Sequence, residues 1–182
     1  MRKVAGALIL VAAMQFVICM IIAEAMYAGY HVGRNYISDL GVGPSAKIFN
    51  ASIILFGLMT MAGAYFLSRV YQGKLTALIF FFTGFGALLV GFFPQSVSIA
   101  HATGALMAFV CGGLSAISLI TVEKSVFNYM SVAMGSMSLT ALLLFIGGNY
   151  LGIEPGGMER MIAYPVLLWA IGFGGYLIGL PE

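Results

Sequence analysis

Residues 4–23 read VAGALILVAAMQFVICMIIA, twenty positions without a charge. At about 1.5 Å per residue, a helix of this length covers roughly 30 Å, the thickness of a bilayer's hydrocarbon core. Inside lipid every backbone N–H and C=O must find its partner within the protein, so the stretch reads as a transmembrane helix. Met1-Arg2-Lys3 ahead of it is similar to the start of a signal peptide. The apolar run, however, exceeds the roughly 7–15 residues of a cleaved signal core, and it reads as a retained first span.

Working outward, five further apolar runs follow, separated by turn and charge signals. The spans are placed at about 4–27, 47–67, 75–93, 101–122, 125–146 and 161–180, with Ser45, Ser98 and Ser125 as candidate N-caps. The fold class is therefore an all-α integral membrane protein, a six-transmembrane-helix bundle in a single transmembrane domain, 1–182. Composition agrees, with 62% hydrophobic and 8% charged residues, against about 25% charged in a soluble domain. Six spans leave no length for a soluble domain, and a net charge of +2 without a basic run excludes a nucleic-acid partner. Cys19 and Cys111 lie in apolar stretches outside any CxxC pattern and read as small hydrophobes. Gly175 and Gly179 have the small-xxx-small spacing and are expected to pack within the bundle rather than against a second copy.

Lysine and arginine in the connections set the orientation. With the N-terminus cytoplasmic, Arg2, Lys3, Arg69, Lys74 and Lys124 fall inside and Arg34, Lys47 and Arg160 outside. Both termini are then cytoplasmic, and the localisation is the cell membrane.

The outer connections, 27–46, 94–100 and 147–160, gather Glu24, His31, Arg34, Asp39, Lys47, His101, Glu154, Glu159 and Arg160 at one face. Glu24, near the end of its span, is either a ligand-binding or proton-handling carboxylate or an interfacial residue that just reaches the headgroups. Asp39 either accepts backbone N–H bonds of its own loop or pairs with Arg34 or Arg160. The forks of Arg34 and Arg160 could together hold a phosphate or carboxylate. His31 and His101 with Glu24 and Asp39 could hold a metal, and the two imidazoles a haem. No HxxxH or HxxE spacing supports either, so no metal or cofactor is expected. Ser38, Asp39 and His101 do not form a convincing hydrolase triad, and there is no GxSxG, Walker loop or dinucleotide fingerprint. No catalytic residue is assigned.

Tyr36-Ile37-Ser38-Asp39-Leu40-Gly41 followed by Phe49-Asn50, Phe93-Pro94 followed by His101 and Phe109, and Gly157-Met158-Glu159-Arg160 with Trp169 span most of the chain. In these motifs it resembles an uncharacterised prokaryotic multi-pass membrane family labelled only as domain of unknown function 998. The resemblance implies a compact bundle of about six helices and supplies no activity to carry over. It directs attention to Asp39, Asn50, His101, Glu159 and Arg160. The sequence departs from the family at Tyr36, where many members carry proline.

Three functions stay open. The first is non-catalytic binding or passage of a small molecule, ion or lipid headgroup at the outer polar cluster. The second is an accessory or scaffold subunit of a larger membrane complex. The third is an intramembrane metal-dependent enzyme acting on lipid. Expected partners are membrane lipids, a membrane-protein companion or a second copy of the chain. Glu24, Asp39, His101 and Arg160 around an open pocket would favour binding or chemistry; closed ion pairs would favour scaffolding.

Overall fold

In a computed structural model that describes residues 1–71, 74–121 and 125–181, the chain is all-helical, with no strand among the described residues. Six long helices follow in order: α1 Arg2–Met26, α2 Ala46–Val70, α3 Lys74–Phe92, α4 Ser98–Ser118, α5 Phe127–Ile146 and α6 Glu154–Gly179. At about 1.5 Å rise per residue they reach roughly 28–39 Å, enough to cross a bilayer. All six are also apolar enough to do so. Lys124, assigned above to the inner side, lies outside the described residues.

Each helix packs on its sequence neighbours, and α6 returns to α1, closing a ring into which α6 leans far enough to touch α4. Lipid offers no hydrophobic drive for helices to associate, so close backbone approach must supply the packing energy. Reciprocal glycine pairs provide that approach. A Cβ on Gly6 or Gly174 (α1–α6), or on Gly57 or Gly84 (α2–α3), would lie 2.6 Å from the other glycine's carbonyl oxygen. Gly86 with Gly104 (α3–α4) and Gly113 with Gly135 (α4–α5) repeat the arrangement. Gly175 and Gly179, by contrast, have nothing within 4 Å of an added Cβ. They face outward, so the expectation that they pack within the bundle is corrected: the inner face of α6 is taken by Phe173, Gly174 and Leu177.

The bundle's centre is aromatic. Trp169 stacks on Phe173 and Phe80 packs tilted against both, with ring centroids 5.2–5.9 Å apart, and Trp169 Nε1 donates to Ser131 Oγ at 2.8 Å. Pro165 inside α6 has no N–H to offer the preceding turn; beside it, Ser138 of α5 donates to the Ile162 carbonyl at 2.7 Å. Ser45 does occupy the N-cap of α2, but its hydroxyl donates to the Leu40 carbonyl instead of capping. The N-caps of α4 and α5 are Val97 and Val126.

The largest departure from the sequence reading is the start of α6. It begins at Glu154 rather than near 161, so Glu159 and Arg160 belong to a helix and not to a loop. Pro155 in the first turn suits a helix start, because the N–H it lacks would have no intrahelical partner there.

Candidate functional site

The α1–α2 connection, residues 27–45, folds over the end of the bundle opposite the termini, and the first turns of α6 hold it there. Arg160 carries most of the grip. Its Nη2 donates to Glu24 Oε1 and to the Tyr30 hydroxyl, both at 2.6 Å. Its Nη1 donates to the carbonyls of Val32 (2.8 Å), Asn35 (3.1 Å) and Gly156 (3.0 Å). The guanidinium also lies over the Tyr30 ring, 5.5 Å from its centroid. The side chain is only 4% exposed, and Glu24 18%. The two Nη groups spread four N–H donors toward these five acceptors, more than a lysine ammonium offers, while the buried Nε has no hydrogen-bond partner.

Glu159, also buried, accepts a short hydrogen bond from the Ile37 N–H, the first amide of the 3-10 turn Ile37–Gly41. Gly157 N donates to the Gly33 carbonyl at 3.0 Å. Gly156 sits so close to the Asn35 carbonyl that any Cβ would collide with it. Tyr30 completes the arrangement by donating to the Tyr36 carbonyl at 2.8 Å while accepting from Arg160. Burial pushes its phenol up to about 12, despite the Arg160 charge pulling the other way. Tyr36 is also raised, by burial first and then by Tyr150.

The other expected residues are placed as follows. Asp39 Oδ2 accepts from Tyr36 N–H (2.8 Å) and Asn35 Nδ2 (3.3 Å), closing the start of the 3-10 turn; it reaches neither arginine. Tyr36 has φ −67°, where a proline would fit, but a proline would lack the N–H that Asp39 accepts. Asn50 of α2 donates to the Gly41 carbonyl at 3.0 Å, tying down the far end of that turn. Arg34 Nε donates to Glu154 Oε1 at 3.1 Å, with His31 Nδ1 3.7 Å from Oε2, all three side chains well exposed. Lys47 is exposed on the first turn of α2. His101 Nδ1 lies 2.9 Å from the Phe93 carbonyl and stabilises the short α3–α4 connection.

The polar end is therefore three separate arrangements: a buried Glu24–Arg160–Tyr30 centre with Glu159 beside it, an exposed Arg34–Glu154–His31 rim, and an isolated His101. Two of the arrangements that the sequence left open do not fit this geometry. Arg34 and Arg160 do not share an anion, because each has its own carboxylate. His31 and His101 do not approach a common point with Glu24 and Asp39, and no cluster of three or more His, Cys, Asp or Glu that could hold a metal occurs among the described residues. Tyr30 and Gly156 were missed: a loop tyrosine near a membrane interface has an ordinary interfacial reading, and the glycine's role depends on a carbonyl distant in sequence.

Beneath the clasp lies a cavity of about 80 Å³ between α1, α2, α3, α4 and α6. Its walls include Phe16, Phe56, Ala87, Phe109, Ala163 and Val166, and its single hydroxyl, Thr83, is already bonded to the Ile79 carbonyl and to Ser115.

Fold and site together define a polytopic membrane bundle whose polar end is closed by its last helix. The DUF998 family, described as proteins of unknown function, matches residues 10–176, and the chain belongs to it. No curated protein and no solved structure matches the chain.

Proposed function

We propose that this membrane protein is a non-catalytic binder of a slender apolar molecule, a hydrocarbon chain of lipid type, held in the cavity beneath the Arg160 clasp. The observation that carries this reading is the cavity itself, walled by five helices and almost wholly apolar. An apolar cavity of this kind stays dry and favours apolar guests; one of about 150 Å³ accepts benzene. The space here is about half that volume and partly open, so it takes a few methylenes of an alkyl chain that enters from the side rather than a ring. The polar cluster is a weaker ligand site, because an incoming anion would have to displace Glu24 from Arg160. With the termini cytoplasmic, as the lysine and arginine bias proposes, the clasp faces outward.

The test is photolabelling of the purified protein with a palmitate carrying a diazirine in its chain. Labelling should map to the cavity wall and should fall several-fold in Ala163→Leu, which fills the space. Equal labelling of a filled variant that keeps its thermal midpoint would remove the cavity as the site.

A second reading, an accessory or scaffold subunit, is favoured by the closed ion pairs. It predicts a stable companion that co-purifies in native gels; a chain that runs alone from native membranes counts against it. The metal-dependent lipid enzyme gains no support from the geometry, since Glu24, Asp39 and His101 bond in three different places.

A further inference from the structure

At the end of the bundle that carries the termini, a groove of about 470 Å³ runs between α2 and α3, its walls including Met61, Tyr65, Arg69, Lys74, Leu78 and Phe81. Charge and apolar surface are segregated along it. Arg69 lies in the last turn of α2 and Lys74 is the first residue of α3, so both cations stand at the rim. Leu78 and Phe81 follow along α3, and Met61 lies one turn further into α2 than Tyr65, so the groove turns apolar toward the bilayer centre. Arg69 is held in position: its guanidinium carbon lies 5.1 Å from the Tyr65 ring centroid, and its Nη2 donates to the Tyr65 hydroxyl at 3.2 Å. The ion pairs around Arg160 and Glu154 lie at the opposite end.

Two cations at headgroup depth above an apolar trough match one class of ligand, a phosphodiester with an acyl tail. We infer that this groove binds an anionic glycerophospholipid, its phosphate between Arg69 and Lys74 and one acyl chain along Leu78 and Phe81. The site is independent of the cavity proposed above. Arg69 is already oriented by Tyr65, so less side-chain freedom is lost on binding. The aromatic ring at the rim sits where tyrosines are enriched in membrane proteins, at the headgroup level.

The experiment is native mass spectrometry of the full chain released from nanodiscs of phosphatidylglycerol or phosphatidylcholine. The wild type should retain phosphatidylglycerol selectively. Each basic residue near the surface contributes roughly five-fold in affinity for an anionic lipid, so Arg69→Gln with Lys74→Gln should weaken retention by roughly 25-fold. Lys47→Gln, an exposed cation at the other end, should retain the lipid as the wild type does. Thermal midpoints of all variants in phosphatidylcholine establish that they are folded. Wild-type retention in the folded double variant, equal retention of phosphatidylcholine, or displacement of the lipid by inorganic phosphate at matching concentration would each overturn the assignment.

Discussion

Glu24→Gln isolates the charge of the clasp from its geometry. The amide oxygen of glutamine can still accept from Arg160 Nη2, so what is removed is the counter-charge of a guanidinium that is 4% exposed. Two unit charges about 4 Å apart at an effective dielectric of about 20 attract by roughly 4 kcal/mol. Breaking a buried pair by removing one partner costs about 3–5 kcal/mol, and the two figures agree. At about 2–4 °C per kcal/mol for a chain of this size, the midpoint should fall by roughly 8–16 °C. The assay is built into the protein: Trp169 is the sole tryptophan, stacked on Phe173 and tilted against Phe80 in the core, so its fluorescence reports unfolding in detergent. In an Arg160→Met background the same substitution should leave the midpoint unchanged or raise it, because Glu24 is then itself the uncompensated charge. An equal loss in both backgrounds, or a loss below about 2 °C in the wild type, would refute the ion-pair reasoning.

Three further outcomes follow from the geometry. Gly156→Ala should force α6 and the 27–45 connection apart, at about 1–3 kcal/mol for an added methyl with no room, and raise limited proteolysis of that connection. The Tyr30 phenol, raised to about 12 from an ordinary 10.0, holds its proton more tightly in the folded chain. Its contribution to stability is complete below about pH 10 and is lost as pH rises through about 12, so Tyr30→Phe should flatten that part of a thermal-midpoint profile. Leu151, exposed with φ +49°, stands in the left-handed region; Leu151→Gly should raise the unfolding free energy by about 1 kcal/mol, and a loss of similar size would show that the side chain matters more than the backbone strain.

The six spans were legible because lipid imposes a simple rule on every one of them: about twenty apolar residues and no bare backbone. The clustering of polar residues at one end followed from alternating the spans. What the sequence concealed was pairing. Asn149-Tyr150-Leu151-Gly152-Ile153-Glu154-Pro155-Gly156-Gly157 has the composition of a loop, yet Pro155 also suits a helix start, and only the loop carbonyls over Gly156 show why two glycines follow. Glu159 and Arg160 read as residues of an outer loop because nothing local marks them as buried; their partners Ile37, Glu24 and Tyr30 lie more than a hundred residues away. His101 was grouped with the cluster by topology alone, whereas its ring serves a carbonyl eight residues before it. Asp39 lay within reach of sequence reasoning because its N–H partner is three residues away in its own turn.

The dependence of the α1–α2 connection on the last helix has a consequence for biogenesis. Val32, Asn35 and Ile37 have their backbone partners on α6, a segment synthesised only after five spans have left the ribosome. Until it arrives, these amides and carbonyls must remain hydrated, so the nascent bundle stays open at that end and shuts only once α6 has been made.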